Sequence, residues 1–436
     1  MDPVRGMEEL PLLPALSQMV DSLPDSLIQI IDWFQENNAH VWIVGGANRN
    51  ALLGTRVDEY DLATTMTPDE MKAYPDTIPT GERYGTITFR NQGHSYEITT
   101  LRTEFGYNDG RRPDEVEWGD SLLVDLSRRD LTMNSIAVNV SRRAYYDPFG
   151  GYDDLQKKRL RSVGEPVQRL SEDALRILRS YRFMDQGNAG IWWPEQQLAD
   201  ALRKTKPMID RIASERIWSE LKQILLGKHA SEIVQRMADD GLLKQIFAID
   251  WMQDDLRIQL LNQIAGDDVL DRLVVLLRDY DSNDCEQVAK RLRLSSAERK
   301  RLLFRHAKSG HLPDDRDSAI RVYAMALGKW SHQHLHLEQL FAKNGHSKHT
   351  EDDIQKRIER IMHVKIDFDA KPLADGDYIM RKTSVPQGPK LGALKEWLFY
   401  EQIARNLRSI EEIDTLLCTL SWQATDITSW PKLQFP

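Results

Sequence analysis

The spacing of hydrophobic residues changes at about residue 150 of the chain. Before it, short apolar runs bounded by turn residues are typical of buried strands, and VWIVGG at 41–46 ends in two glycines that predict a tight turn. A helix is predicted to begin at Asp25 or Ser26, either of which can cap it. Four prolines in residues 1–24 predict an extended lead-in. The predicted strands are 41–46, 85–90, 95–101 and 137–140.

After residue 150, apolar residues follow the 3.6-residue period of an amphipathic helix and glycine becomes rare. The predicted helices are 171–186, 195–204, 210–226, 229–240 and 255–278. Helical spacing then continues to about residue 420, with breaks at 310–313, 344–347 and 382–392.

This pattern predicts an α+β fold: a head with a small mixed β-sheet and helices, followed by all-α neck, body and tail domains. The predicted parts are a lead-in at 1–24, a catalytic head at 25–150, a helical neck at 151–226, a helical body at 227–345 and a helical tail at 346–436.

Composition narrows the class of protein. Hydrophobic residues make up 41% of the 436 residues, which excludes wholesale disorder. There is no run of 18 apolar residues and no signal-peptide layout, so we expect neither a membrane span nor secretion. Two cysteines, Cys285 and Cys418, cannot form a disulfide framework, which is consistent with a cytoplasmic location. The net charge of −9 means that any nucleic-acid contact must use local basic patches.

The strongest chemical signal lies in residues 44–65, VGGANRNALLGTRVDEYDLATT. Gly45 and Gly46 lack side chains, so their backbone N–H groups can approach a phosphate, and Arg49 follows on the first helical turn. A strand predicted to start near Glu59 places Glu59 and Asp61 on one face, where two carboxylates can hold a pair of divalent cations. The alternative is an ordinary turn followed by a solvated acidic strand end.

Here the chain resembles the class II tRNA nucleotidyltransferases (CCA-adding enzymes) and the related bacterial poly(A) polymerases of the polymerase-beta-like superfamily. GGANRNALLG and EYDLAT are similar to that family's GGxVRDxLLG and DxDxAT. Fainter likeness continues through RLRLSSAERKRL at 291–302 and into the tail. The other matching motifs, in the family's order, are RRPDEVEW (111–118), RRDLTMNSIA (128–137), DPFGGYDDL (147–155), RLSEDALRILRSYRF (169–183) and RIASERIWSEL (211–221).

The resemblance implies template-independent addition of CCA to the 3′ end of tRNA, using CTP, ATP and a two-metal Mg²⁺ site held by Glu59 and Asp61. Two positions depart from the family pattern: Glu59 replaces the first metal-binding aspartate, and Asn50 replaces the aspartate after Arg49. Glutamate is a suitable hard-oxygen ligand but is one methylene longer, so the metal position can shift. Glu97 is the candidate third catalytic carboxylate, and an exposed strand glutamate is the alternative.

Two segments are expected to bind the nucleotide. By resemblance, Arg129 contacts phosphate and Asp130 contacts the ribose hydroxyls, although both residues can also simply cap the following strand. Asp173 and Arg176 are predicted to share one face of a helix capped by Ser171, and by resemblance they read the Watson–Crick edge of CTP or ATP. An intrahelical salt bridge is the alternative.

Supporting roles are predicted for nearby residues. Arg179 is expected to brace Arg176, while Glu215 and Arg216 are expected to buttress the helix that carries it. DPFGG suggests a hinge between head and neck. The hinge residues are Asp147, Gly150 and Gly151.

The expected partner is the acceptor arm of tRNA, recognised by shape. Residues 290–308 hold eight Lys or Arg against one Glu, and KKRLR at 157–161 forms a second basic cluster. A solvated helical face is the alternative for the first cluster, and neutralisation of nearby acids for the second. No membrane or protein partner is expected. The candidate RNA-binding residues are Arg291, Arg293, Arg299, Lys300 and Arg301.

Several functions remain open from the sequence. The segment at 104–118 has the full length expected of the family's flexible loop, which argues against a CC-only enzyme and leaves CCA or A-only addition. Poly(A) polymerase is disfavoured because the chain lacks a long basic C-terminal extension. A tRNA-binding protein with an impaired head is the alternative from a different class, because of Glu59 and Asn50.

Overall fold

The computed structural model of the chain describes residues 2–105, 115–252 and 255–435. The described chain forms two compact units: the first contains residues 1–253 and 287–294, and the second contains 254–286 and 295–436. The division into lead-in, head, neck, body and tail remains a prediction. The motif RRPDEVEW begins at 111, so its first part lies outside the described residues.

An eight-stranded mixed sheet lies in the first unit, as the predicted α+β class requires. Its strand order is β1-β10-β9-β2-β3-β6-β5-β4, and β3 and β6 are the parallel pair, whereas the other neighbours are antiparallel. The strands β7 and β8 form a separate antiparallel pair. The strands are β1 (Leu10–Pro11), β2 (Val41–Val44), β3 (Asp61–Thr64), β4 (Thr77–Gly81), β5 (Thr86–Asn91), β6 (His94–Thr100), β7 (Arg102–Phe105), β8 (Glu115–Trp118), β9 (Ala137–Asn139) and β10 (Ala144–Tyr146).

Strand β2 is buried along its whole length, as its unbroken apolar sequence predicts. Trp42 and Val44 of this strand pack with Leu122 and Leu126 of the helix α5 (Leu122–Ser127). This cluster fixes the end of β2, from which the turn at Gly45 departs.

The helices before residue 254 all lie in the first unit. They are α1 (Pro14–Asp21), α2 (Asp25–Glu36), α3 (Gly46–Leu52), α4 (Pro68–Met71), α5 (Leu122–Ser127), α6 (Gly151–Gln156), α7 (Pro166–Glu172), α8 (Leu175–Met184), α9 (Gln196–Thr205), α10 (Ser214–Leu225), α11 (Ala230–Asp239) and α12 (Leu242–Phe247).

Helices follow one another through the rest of the chain. The predicted breaks at 310–313 and 344–347 lie between helices, whereas only 384–388 of the break predicted at 382–392 does so. They are α13 (Asp255–Gln259), α14 (Val269–Leu276), α15 (Ser282–Arg291), α16 (Ser296–Lys308), α17 (Asp317–Leu327), α18 (Trp330–Lys343), α19 (Glu351–His363), α20 (Gly376–Thr383), α21 (Pro389–Arg405) and α22 (Ile410–Thr419). Short 3₁₀ segments are Glu82–Tyr84, Thr132–Asn134, Gly187–Ala189, Lys206–Arg211, Leu260–Gln263 and Ile427–Ser429. Within the described ranges, no helix is long and apolar enough to cross a membrane.

Three predictions about these elements are wrong. The lead-in is not simply extended, because α1 begins with Pro14 in its first turn and buries Leu16, Met19 and Val20. Helix α2 begins after Pro24, which replaces Asp25 or Ser26 as the cap. The helix predicted at 255–278 is interrupted before Asp268, whose side chain caps the start of α14.

Candidate active site

The turn after β2 brings three candidate residues together. Gly45, which has a φ of 74° that favours glycine, is the N-cap residue directly before α3. A Cβ atom at Gly45 would lie 3.2 Å from Nη1 of Arg129 and 3.8 Å from Oδ2 of Asp61, and one at Gly46 would lie 3.7 Å from Nη2 of Arg49. The predicted phosphate turn therefore borders two guanidinium groups and one carboxylate.

Strand β3 begins at Asp61, so the prediction that Glu59 and Asp61 share a strand face is wrong for Glu59. Pairing with β2 ends at Val44 opposite Asp61, because the chain turns at Gly45, and Glu59 is left in the loop before the strand. On its other side, Asp61 is paired with Glu97 of β6 in the parallel register. Paired residues of parallel strands point to the same face of a sheet, so this register brings together Asp61 and the candidate third carboxylate.

Asp61, Glu59 and Glu97 border one cleft of about 850 Å³. Burial raises the pKa of Asp61, Arg129 opposes this rise, and Glu59 adds to it. None of the three carboxylates accepts a hydrogen bond from another residue within the described ranges. Hard carboxylate oxygens without hydrogen bonds suit divalent cations, although no three His, Cys, Asp or Glu side chains of the described residues are grouped closely enough to hold an ion.

Arg129 is held beside the turn by a carboxylate that the sequence analysis missed. Asp125 of α5 is buried and pairs with Arg128 at 2.5 Å and with Arg129 at 3.2 Å. Burial raises the pKa of Asp125, but the two guanidinium groups outweigh burial and lower it overall. Nε of Arg129 is buried and has no partner in the described part of the chain, so one donor remains available for a ligand.

Asp130 is linked to Arg49 through Asn134, a second residue that the sequence analysis missed. Asn134 donates to Asp130 at 3.0 Å and accepts from Arg49 at 2.7 Å. Nε of Arg179 donates to Oδ2 of Asp130 at 2.8 Å. Burial alone would raise the pKa of Asp130, but Arg179 and the Asn134 hydrogen bond hold it far below its usual range.

Arg179 therefore contacts Asp130 rather than bracing Arg176 directly. Together with Arg49 and Arg182 it surrounds the ring of Phe183, with guanidinium carbons 5.0, 5.2 and 4.4 Å from the ring centroid for Arg49, Arg179 and Arg182. Burial, reinforced by Arg182, lowers the pKa of Arg49 to about 10, so the group remains protonated at neutral pH. The aromatic residue at the end of RSYRF is the only sequence signal that could have pointed to this cluster.

Asp173 and Arg176 do not share a continuous helix, and Ser171 does not cap one. The backbone of Asp173 is extended, between α7 and α8, and its side chain accepts from the N–H of Leu175 at 3.0 Å. Ser171 lies inside α7 and donates to the carbonyl of Val167. The helix breaks here because the Asp173 carboxylate binds the first turn of α8 instead of continuing α7.

The salt bridge considered for Asp173 and Arg176 is replaced by two others. Arg176 pairs with Glu172 at 2.7 Å and donates to the carbonyls of Arg169 and Arg128 at 2.8 and 2.7 Å. Asp173 instead pairs with Arg216 of α10 at 3.0 Å. The guanidinium of Arg176 is thus largely occupied, and base reading by this pair stays a prediction.

Arg216 and Glu215, which were expected to buttress the helix that carries Arg176, have different partners. Arg216 contacts Asp173, next to the helix that it was expected to support. Glu215 accepts from Arg293 at 2.7 Å, so it pairs with a candidate RNA-binding residue.

The proposed hinge residues form a helix start. The carboxylate of Asp147 accepts from the N–H groups of Gly151 and Tyr152 at 2.7 and 2.9 Å, and Gly150 has a φ of 70°. A Cβ at Gly151 would lie 2.2 Å from the carbonyl oxygen of Thr132. Close packing explains this glycine, and hinge motion stays a prediction.

The basic segment at 290–308 is more neutral in the structure than its sequence suggests. Arg291 pairs with Asp210 at 2.6 Å, Arg299 pairs with Glu286, and Arg301 pairs with Asp268. Acidic residues outside the segment thus offset the charge expected there. Lys300 is exposed and forms no ion pair within the described residues.

The cluster at 157–161 neutralises nearby acids, which was the alternative interpretation. Lys157 pairs with Asp153 at 2.6 Å, whereas Arg159 and Arg161 both pair with the buried Asp154. This leaves little free charge in this cluster for RNA.

Two family models match parts of the chain before residue 250. Residues 41–161 match the Poly A polymerase head domain, and residues 194–249 match the probable RNA and SrmB-binding site of polymerase A. The CCA-adding enzyme of Bacillus licheniformis is 36% identical over 232 residues, which are 52% of this chain and 57% of that protein. The mitochondrial CCA tRNA nucleotidyltransferase 1 of Danio rerio is 39% identical over 224 residues, which are 50% of this chain and 51% of that protein. The chain thus spans about half the length of the curated relatives it matches.

Solved structures extend the likeness in fold. The crystal structure of the Bacillus stearothermophilus CCA-adding enzyme in complex with CTP has a TM-score of 0.75 at 22% identity, with 93% of this chain and 98% of that chain covered. The Thermotoga maritima CCA-adding enzyme complexed with tRNA has a TM-score of 0.60 at 18% identity, with 92% and 97% covered. These identities support a shared fold.

Proposed function

We propose that this chain adds CCA to the 3′ end of tRNA from CTP and ATP. The proposal is based on its resemblance to the class II tRNA nucleotidyltransferase and bacterial poly(A) polymerase family. The observation that carries the proposal is the position of Asp61, which lies beside the Gly45 turn, borders the large cleft and accepts no hydrogen bond from another described residue. A carboxylate in this position would meet both a phosphate on the turn and an RNA end in the cleft, which supports the proposal.

In the proposed reaction, the 3′ hydroxyl oxygen of the RNA attacks the α-phosphorus of the nucleotide. One P–O bond forms to the RNA, the bond to the β-phosphate oxygen breaks, pyrophosphate leaves, and the hydroxyl proton passes to solvent. The enzyme's task is to align the two substrates and to stabilise negative charge.

Asp61 and Glu59 would hold divalent metal ions, with Glu97 as a third carboxylate. When bound, Mg²⁺ would neutralise charge on the transferring phosphate and on the leaving group. The raised pKa of Asp61 supports this assignment, because a nearby cation would stabilise a carboxylate that lacks hydrogen bonds.

The nucleotide would lie along the Gly45 turn. Arg129 and Arg49 would bind phosphate oxygens, and the buried Nε of Arg129 is one donor without a partner among the described residues. Asp130 would accept from the ribose hydroxyls, which distinguish ribonucleotides from deoxyribonucleotides. Asp173 and Arg176 would read the base, and Arg176 would then exchange part of its present hydrogen bonding for the nucleotide.

The tRNA would contact the exposed basic side chains of α16 and its surroundings. Because Arg299 and Arg301 already have acidic partners, their contacts with phosphate would replace existing ion pairs. Lys300 is therefore the candidate that needs no such exchange.

The proposal is tested by incubating the chain with Mg²⁺ and tRNAs that lack one, two or three 3′ nucleotides, with CTP and ATP added separately and together. CCA addition predicts that CTP extends the two shorter RNAs by C and that ATP completes the chain once CC is present. Extension of the CC-ended RNA alone would identify an A-only enzyme, and a long A tail would identify a poly(A) polymerase. If wild type incorporates nothing while Asp61→Asn binds tRNA equally well, the chain is a tRNA-binding protein.

A further inference from the structure

The large cleft beside the predicted metal carboxylates has a second wall made by the N-terminal segment. On one side lie Asp61 and Glu97 of the central sheet. On the other side, α1 and the residues just after it contribute Ala15, Gln18, Met19, Ser22 and Pro24. This wall precedes residue 41, where the match to the Poly A polymerase head domain begins.

The N-terminal segment is anchored firmly to the head. Strand β1 extends the sheet by pairing with β10, with Leu10 opposite Tyr145. Arg143 donates to Asp21 at 2.7 Å and to Ser17 at 2.6 Å. Glu9 accepts from the hydroxyl of Tyr146 at 2.7 Å. None of these anchoring residues borders the cleft, so the segment is fixed by one set of contacts and presents another set of side chains.

Gln18 is the polar side chain of α1 best suited to meet a ligand there. It is exposed, and its amide forms no hydrogen bond with another residue of the described chain. Leu16, Met19 and Val20 secure the helix in the core, so Gln18 has no evident role in folding. A carboxamide can donate to and accept from the edges of bases and sugars.

The cleft and the phosphate turn meet at Asp61. The carboxylate borders the cleft and also lies beside Gly45, but Gly45, Gly46 and Arg129 do not line the cleft. Phosphoryl transfer requires the attacking oxygen and the leaving group to be roughly in line across the phosphorus. With the triphosphate along the turn, the cleft offers the attacking hydroxyl a second approach to Asp61.

We propose, on the basis of the proposed function, that this cleft receives the 3′-terminal nucleotides of the RNA and that Gln18 is a positioning residue for them. Its volume of about 850 Å³ lies in the range of pockets that hold small ligands, which suits the end of a single strand. The N-terminal segment thereby sets the position of the RNA end relative to Asp61.

The negative charge of the cleft makes RNA binding there depend on divalent cations. Asp58, Glu59, Asp61 and Glu97 border it, whereas Arg56 is paired with Asp58. Because Arg56 offsets Asp58, three carboxylates remain to repel an RNA end, so RNA should enter the cleft only when divalent cations offset this charge.

The position of the RNA end is tested by photocrosslinking. A tRNA that carries 8-azidoadenosine at its 3′ terminus is bound to the full chain in Ca²⁺ or in EDTA, illuminated, and the modified peptides are identified by mass spectrometry. We expect modification of residues 15–22 in Ca²⁺ and at least a fivefold decrease in EDTA. The same azido group in the anticodon loop should not label this segment. Labelling elsewhere in the head, with none in α1, would overturn the proposal.

Kinetics of Gln18→Ala and Gln18→Trp then separate positioning from a structural role. We expect the KM for tRNA to rise at least fivefold, with unchanged KM values for CTP and ATP and an unchanged Tm. The matched control is Gln197→Ala, because Gln197 is an exposed glutamine of α9 that does not border the cleft. An increase in the KM for nucleotides alone would assign the cleft to the nucleotide. If wild type incorporates nothing, the proposed function fails, whereas crosslinking still decides where the RNA end lies.

Discussion

Asp173→Asn separates base recognition from structural support at the break between α7 and α8. Asparagine keeps an oxygen that can accept from the N–H of Leu175, so the local backbone should persist. The change removes the charge that pairs with Arg216 and replaces one acceptor oxygen by an NH₂ donor.

The loss of the ion pair and the loss of the base contact differ in size. The Asp173–Arg216 ion pair is partly exposed, at 20% and 27% of the two side chains, so its loss should lower the free energy of unfolding by about 1 kcal/mol. For a unit of this size, that corresponds to a decrease in Tm of about 2–4 °C. Loss of a base-edge contact is worth about 1–3 kcal/mol, which is roughly 5- to 150-fold in selectivity.

The direction of the selectivity change follows from hydrogen-bonding chemistry. Cytosine and adenine present an amino donor to an acceptor, whereas uracil and guanine present a carbonyl acceptor. Asp173→Asn should therefore reduce incorporation of C and A and increase that of U or G. The assay is single-turnover incorporation with each of the four NTPs, alongside thermal melting.

Arg216→Ala is the matched control, because it removes the same ion pair and leaves the Asp173 carboxylate in place. We expect both variants to lose similar stability and only Asp173→Asn to lose selectivity. If Asp173→Asn retains the preference for CTP and ATP, or if both variants change selectivity equally, the carboxylate does not read the base.

Three further predictions concern the metal site, the RNA surface and the second unit. Glu59→Asp should retain or increase incorporation, because it restores the family's shorter ligand; an inactive variant with wild-type Tm would show that the loop before β3 requires the longer side chain. Lys300→Glu should raise the Kd for tRNA severalfold and reduce the slope of log K against log salt by roughly one or two, because a cationic contact is lost and an anion added; an unchanged slope in binding titrations would place the RNA elsewhere. Burial lowers the pKa of His334, whose ring contacts Tyr323 at 2.8 Å, with Glu338 opposing this shift, so the folded state excludes a proton that the unfolded state binds below a pKa of about 6.5. Below that pH, proton binding favours the unfolded state, so Tm should decrease from pH 7 to 5. The decrease should be less steep in His334→Gln, and equal slopes in the two proteins would contradict the assignment.

The sequence predicted the elements that depend on local pattern. Strand β2 and the turn at Gly45 were predictable because an unbroken apolar run followed by Gly-Gly has few alternatives. The family resemblance, supported by the matches at residues 41–161 and 194–249, came from the order of several short motifs.

The rest depended on contacts between distant residues. Asp173 was expected inside a helix because its neighbours have helical spacing, but its side chain binds the N–H of Leu175 and ends α7. The basic segment suggested a strongly positive surface because Asp210, Glu286 and Asp268, which pair with its arginines, lie outside it in sequence. Such partners are determined by tertiary structure, which one sequence does not reveal.

The first unit is discontinuous in sequence, and this has a consequence for synthesis. It needs residues 287–294, which follow residues 254–286 of the other unit. Arg291 contacts Asp210 across 81 positions, so this contact cannot form when residue 253 leaves the ribosome. At about 5–20 residues per second, the missing segment follows roughly 2–8 s later. During that interval the nascent first unit lacks its last segment, and a chain terminated at 253 should be more sensitive to protease than one terminated at 294.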